Sequence, residues 1–192
     1  MVDPCGTCEG ELAARIGKAL GKFKQMYGVW HNRRLRFRTK VQLYKCYVLP
    51  ILLFGSEFWA LTHGQAQRLE RVHSSCMRRL LRVRLADRVP LEELRQRCRL
   101  PSLQQFLQAR RLQWLGHVLR MQPERFARRA LLSRPWQGQR RPGRPAMRWS
   151  EDCMKADLAA RGLPLIRGGL GGLDELCAAR NEWRRMVHAI TH

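Results

Sequence analysis

The residues of this chain that could do chemistry are few and scattered. Two-metal nucleotidyl transfer needs acidic side chains that converge on the ions. Glu151 and Asp152 are adjacent on a segment that reads as helix, so they point to different faces. Asp152 finds a simpler partner in Arg148, four residues earlier, as a solvated ion pair. No Asp-Asp pair sits on an apolar hairpin. No Gly-x-x-x-x-Gly-Lys-Ser/Thr loop is present to cradle a phosphate, and no Gly-x-Ser-x-Gly turn to raise a nucleophile. Gly168, Gly169, Gly171 and Gly172 lack the strand-then-helix context of a nucleotide fingerprint. His63, His73 and His117 have no evident acid or nucleophile beside them, and His73 and His117 read as helix-surface residues. Cys5-x-x-Cys8 is half of a zinc ligand set, and no Cys or His pair follows it at finger spacing. Cys46, Cys76 and Cys98 lie among apolar residues and read as small hydrophobes. The expectation is a chain that is not an enzyme by itself, with no metal and no cofactor.

Arginine is the one functional group in abundance. Three clusters suit phosphate, because the guanidinium binds it bidentately. The first is Arg33, Arg34, Arg36, Arg38 and Lys40, beside Trp30. The second is the arginine rows along Gln65–Val83, with Arg71, Arg78 and Arg82, and around Arg110–Arg120, with Arg110, Arg111 and Arg120. The third is Arg140, Arg141, Arg144 and Arg148, around Pro142-Gly143-Arg144-Pro145. An extended Gly-Arg-Pro segment can lie in a narrow minor groove, where the enhanced negative potential attracts arginine. A solvated basic loop is the plain alternative. Trp114, Trp149 and Trp183 can be read as stacking platforms for bases, but each lies on a helical apolar face, where core packing is the commoner use.

The elements that must carry these residues are helical. Glu11–Trp30 places Leu12, Ile16, Ala19, Leu20, Phe23 and Met26 on one stripe. Val41–Leu61 is nearly continuous in apolar residues, but Lys45, Glu57 and Pro50 interrupt it, which predicts a buried helix broken or kinked at the proline rather than a membrane span. Gln65–Val83 carries Leu69, Val72, Cys76, Leu80 and Val83 on one face and Arg71, Arg78 and Arg82 on another. Pro90 opens a short helix ending at Cys98, with Glu92 and Glu93 in its first turn. Pro101-Ser102 opens the next, running to about Met121. Its core face holds Leu103, Phe106, Leu107, Trp114, Leu115 and Val118, and Arg110, Gln113, His117 and Arg120 form a polar row. Residues 133–145, rich in Arg, Pro and Gly, read as an exposed arm. Ala146–Arg161 resumes helix with Trp149, Met154 and Leu158. Leu173–Ile190 is a last helix with Leu176, Trp183, Met186 and Val187.

Composition agrees with the arginine clusters. The chain has 192 residues, 37 Lys+Arg against 15 Asp+Glu, and a net charge of +22. At 45% apolar residues it has enough for a core. That charge points to an anionic partner, most often nucleic acid. The bland reading is codon bias, since only six of the basic residues are lysine. Seven scattered cysteines and no apolar leader fit a reducing compartment, nuclear or cytoplasmic and not secreted. No membrane partner is expected.

Four blocks carry a resemblance. LYKCYVLPILLFGSEFWAL at 43–61 is similar to the segment just downstream of the polymerase palm in non-LTR (LINE-type) retrotransposon reverse transcriptases. RRLQWLGHVLRM at 110–121, GQRRPGRPAMRWSEDCMKADL at 138–158 and ARNEWRRMV at 179–187 resemble that family's later blocks, in the same order. The likeness covers about residues 12–190. It implies the thumb and post-palm C-terminal region of an RNA-directed DNA polymerase with endonuclease, in which a helical thumb grips the primer–template duplex. The metal-binding Phe/Tyr-x-Asp-Asp hairpin of the palm is not in this sequence.

The resulting expectation is a mainly α fold. A disordered leader spans 1–11, and thumb-like helices span 12–62 with a basic hinge at 31–40. A post-thumb helical region spans 63–132, the basic arm 133–146, and C-terminal helices 147–192. The implied partners are RNA and/or DNA as a primer–template duplex, and a palm domain where the parent protein is intact. Two other readings stand beside it: a stand-alone arginine-rich nucleic-acid or chromatin-binding module, and a decayed reading frame without function.

Overall fold

The computed structural model describes residues 8–132, 149, 153–163 and 173–191. Among these the chain is helical, with no strand. It divides into two compact units, Met1–Ser56 with Leu61–Gln105, and Glu57–Ala60 with Phe106–His192.

In the first unit, α1 (Glu9–Gln25) buries Leu12, Ile16, Ala19 and Phe23. These positions recur every three or four residues, as one helical face requires. The helix stops at Met26, and a short α2 (Tyr27–His31) follows. The Trp30 indole folds back, donating to the Phe23 carbonyl at 2.7 Å and stacking on the Phe23 ring. α3 (Phe37–Tyr47) gives way at Val48 to α4 (Leu49–Leu52), with Pro50 in its first turn. Pro50 has no N–H for the Cys46 carbonyl, so α3 cannot run through it. The expected interruption of the apolar segment is thus what the structure shows.

α5 (His63–Leu81) starts at a reciprocal cap, in which the Thr62 hydroxyl accepts from the Gln65 N–H and the Gln65 side chain accepts from the Thr62 N–H. It is the central element of the unit, packing on α1, α3 and α6 (Leu91–Cys98). Both α5 and α6 end on an arginine in the left-handed region, Arg82 at φ 58° and Arg99 at φ 50°. Glycine is the usual residue there, so these turns are held at some conformational cost.

His73 departs from its expected place on the surface. It is fully buried on the core face of α5. Its Nδ1 lies 2.8 Å from the Tyr44 hydroxyl, and the two rings stack. Burial holds its pKa down to about 4. The Glu70 carboxylate and the Pro101 backbone pull it upward, and Arg95 adds to the lowering. The helical period of α5 places position 73 between Leu69 and Met77, so the pattern itself points it inward.

In the second unit, α7 (Leu103–Leu119) belongs from Phe106 onward. Ser102 and Gln105 form a second reciprocal cap at its start. α7 is buried on more than one side, through Leu107, Gln108, Arg111, Leu112, Leu115, Val118 and Leu119. α8 (Phe126–Leu132), α9 (Met154–Ala159), α10 (Asp174–Ala178) and α11 (Arg180–His188) follow. The core joins Leu112, Leu115 and Leu119 to Met154, Leu158, Leu173, Cys177, Trp183, Val187 and Ile190.

The single last helix expected over 173–190 is instead broken at Ala179, whose ψ of 72° is not helical. Leu176, expected in the core, is 43% exposed, and Cys177 takes the buried place at 0%.

Two glycines predict opposite outcomes. A Cβ on Gly116 would lie 2.2 Å from the Trp183 Nε1, and that indole is pinned by its bond to the Leu112 carbonyl at 3.0 Å. The G116A variant should lose about 1–3 kcal/mol from overpacking. Nothing lies within 4 Å of a Cβ on Gly21 in α1, so G21A should gain about 0.5–1 kcal/mol. Chemical denaturation of both variants checks the pair.

A second prediction concerns pH. The native pKa of His73 lies below its unfolded value near 6.5. The unfolded chain therefore takes up the extra proton, and stability is lost as pH falls from about 6.5 toward 4. Between pH 7.5 and 5 the loss from this group should be roughly 2 kcal/mol. Urea midpoints of wild type and H73Q at the two pH values should show the flatter response in the variant.

Candidate nucleic-acid interface

Each unit presents its own basic surface. In the first, the turn between α2 and α3 holds Arg33, Arg34 and Arg36, and Arg38 follows in the first turn of α3; all four are exposed. The turn is set locally, since the Asn32 side chain accepts from the Arg34 N–H at 2.8 Å. A second loop lies against it, because the Arg82 guanidinium donates to the His31 carbonyl at 3.2 Å. That loop adds exposed Arg84 and Arg88. Its one carboxylate, Asp87, is occupied in accepting from the Arg84 N–H at 2.7 Å. Arg84 and Arg88 were not among the sequence candidates. Their signal is weak in sequence, since only the fold brings 82–88 beside 31–36.

Lys40, the fifth cation of this cluster in the sequence reading, is not on that surface. It is buried, and its ammonium donates to the Trp30 carbonyl at 2.7 Å. There it caps the C-terminal end of α2, where a cation is favoured. Phosphate would have to compete with that bond.

In the second unit the polar row of α7 forms as the spacing predicts. Arg110, Gln113, His117 and Arg120 line one groove with Trp114, Arg180 from α11, and Glu57. The cavity is about 530 Å³. Gln113, His117, Arg120 and Arg180 are exposed, and Arg110, Trp114 and Glu57 are half-buried. Arg110 and Glu57 approach to 3.9 Å, too long for a hydrogen bond. Arg120 donates through its guanidinium to the Cys177 carbonyl at 2.9 Å, which holds that charge at the groove wall. Trp114 meets Phe58 edge to face, with centroids 4.9 Å apart. Glu57 and Arg180 were missed in the sequence, because neither lies on α7.

Arg111 is one residue from this row and does the opposite. It is buried, forming a two-point pair with Asp157 of α9 at 2.6 and 2.9 Å. Its neighbour Gln108 donates to the Asp157 carbonyl at 3.0 Å. The expectation that Arg111 faces a phosphate is corrected by this geometry, since its charge is already satisfied inside the unit. The remaining candidates Arg140, Arg141, Arg144 and Arg148 lie outside the described residues, as does Cys5.

Of the three tryptophans weighed as stacking platforms, Trp183 is buried and belongs to the core. Trp149 is half-buried against that core, and its indole donates to the Glu57 carbonyl. Trp114 lines the groove described above.

Burial pushes the thiols of Cys76 and Cys177 up to about 11 and that of Cys98 up to about 12, so these are inert hydrophobes. Among the described residues no three His, Cys, Asp or Glu side chains gather as a metal site would need, and no helix is long and apolar enough to cross a membrane.

The chain is similar to an uncharacterized transposon-derived protein of Caenorhabditis elegans, 31% identical over 122 residues. The match covers 62% of this chain and 44% of that protein, so it spans less than half the relative's length. The chain is thus related to a transposon-derived protein. No protein-family model matches it, and no solved structure matches it.

The buried pair makes a prediction. D157A leaves a guanidinium without its counter-ion and should cost about 3–5 kcal/mol. Replacing both partners with leucine should recover most of that loss, because a well-packed apolar pair avoids the desolvation penalty. A double variant no more stable than D157A in urea titration would show that the pair is not the source of the loss.

Proposed function

We propose that this chain is the C-terminal, post-palm portion of a non-LTR retrotransposon RNA-directed DNA polymerase. Its part is to bind the primer–template duplex and other nucleic acid, not to carry out the chemistry. One observation supports this above the rest: the four blocks that resemble the family are each other's packing partners. Glu57 of the first block receives the indole of Trp149 from the third. Arg111 of the second pairs with Asp157 of the third. Gly116 of the second lies under Trp183 of the fourth. Blocks that depend on one another in this way are understandable as one inherited structural unit. The transposon-derived relative is consistent with that origin.

Binding would be electrostatic. Arg33, Arg34, Arg36 and Arg38, with Arg82, Arg84 and Arg88 beside them, would contact phosphates and release the counterions condensed on the duplex. Nothing in that mechanism reads base sequence, since phosphate contacts position a protein without specifying a site. In this reading the chain would hold a primer end for a palm domain.

Fluorescence anisotropy of a labelled RNA–DNA primer–template across a salt series tests the reading. Neutralising about six phosphates should weaken binding roughly a thousandfold between 50 and 200 mM salt. Replacing Arg33, Arg34, Arg36 and Arg38 with alanine should lower the slope of log K against log salt by about 0.9 per lost contact. A salt-independent affinity would overturn the mechanism. Primer extension by the purified chain would overturn the non-catalytic role.

A further inference from the structure

We infer that the groove along α7 is a site for one unpaired nucleotide of a single strand, distinct from the duplex surface of the first unit. This rests on the nucleic-acid reading above and adds to it a second kind of ligand. Three guanidiniums from two helices, Arg110, Arg120 and Arg180, line the groove against one carboxylate, Glu57. That balance suits a phosphodiester. Phosphate alone does not account for the remaining wall. Trp114 is half-exposed there, backed by the Phe58 ring and flanked by His117, whose ring centre is 5.7 Å away. An aromatic surface beside clustered arginines is what an unstacked base and its phosphate require together.

The size argues the same way. A cavity of about 530 Å³ is on the scale of a small-molecule site. It is large enough for one nucleotide, and the internal bases of a duplex, stacked on each other, offer no face to Trp114. Trp30, Trp59 and Trp183 are buried, whereas Trp114 is half-buried and borders the groove's cations. Exposure of Gln113, His117, Arg120 and Arg180 keeps the groove open, so a strand can pass through it.

The test uses the full chain and three labelled probes: oligo-dT of ten nucleotides, the same strand with abasic sites replacing its bases, and a blunt duplex. The abasic strand keeps the phosphates and removes the stacking partner, so it needs no change to the protein. Wild type should bind oligo-dT about tenfold or more above the abasic strand, the usual scale for stacking on an aromatic side chain. W114L should abolish that difference and leave duplex affinity unchanged. R180A, at an exposed position, should weaken oligo-dT binding several-fold more than duplex binding.

Equal affinity of wild type for the normal and abasic strands would overturn the inference, even with the duplex bound as proposed. Displacement of oligo-dT by dTMP at equal nucleotide concentration would overturn the strand assignment. Failure of all three probes to bind would overturn this inference together with the reading beneath it.

Discussion

The second unit depends on the buried pair of Arg111 and Asp157. Removing two charges from water is expensive, and their attraction offsets that cost only when the geometry is good and the remaining groups are hydrogen-bonded. Here the guanidinium meets both carboxylate oxygens, and Gln108 anchors the main chain of Asp157 through its carbonyl. The consequence is rotational. α7 is apolar on several sides, so leucine contacts alone specify poorly which side faces α9. A two-point ionic contact tolerates no such slippage. Fixing Arg111 inward places Arg110, Gln113, His117 and Arg120 on the groove side, and the groove follows from the pair.

Gly116 acts with that constraint. It allows the Trp183 indole to sit against the helix backbone, where a Cβ would run into the ring, and the indole N–H is satisfied one turn earlier at Leu112. The chain's sequence blocks therefore describe internal complementarity at least as much as a ligand surface. A Trp-Leu-Gly-His string on α7 and an Asn-Glu-Trp-Arg string on α11 are two halves of one contact. Residues that face outward within the same strings, such as His117 and Arg180, are set in place by those that face inward.

This explains what sequence could and could not provide. Helix content, the break at Pro50, the cap at Ser102 and the polar row on α7 follow from local rules: period, proline geometry and capping chemistry. Positions decided by a partner far along the chain do not. His73 lies on the apolar period of α5, but its polar side chain suggested the surface, because the Tyr44 hydroxyl that satisfies it is 29 residues away. Arg111 is indistinguishable from Arg110 in a run of two arginines, and only Asp157, 46 residues on, separates them. The break at Ala179 is likewise invisible to periodicity, because the apolar spacing continues across it while the backbone turns.

The fold also revises how the net charge of +22 bears on function. Many of its cations are engaged in closing the structure. Lys40 caps α2 through the Trp30 carbonyl, Arg78 reaches the Val89 carbonyl, Arg120 holds the Cys177 carbonyl, and Arg128 holds the Met121 carbonyl. Each satisfies an acceptor at a helix end or in a loop, where orphaned carbonyls otherwise need water. A guanidinium suits this work because its fork reaches a carbonyl while its stem covers apolar surface. Arginine here serves as an internal connector as well as a surface cation, and composition alone cannot divide the two roles. Burial separates Lys40 and Arg111, which are withdrawn, from Arg33, Arg34, Arg36 and Arg38, which stay exposed on and just after the turn that Asn32 braces at the Arg34 N–H. Under the proposed nucleic-acid role, phosphate affinity should therefore scale with that exposed set and with the groove arginines, and not with the total.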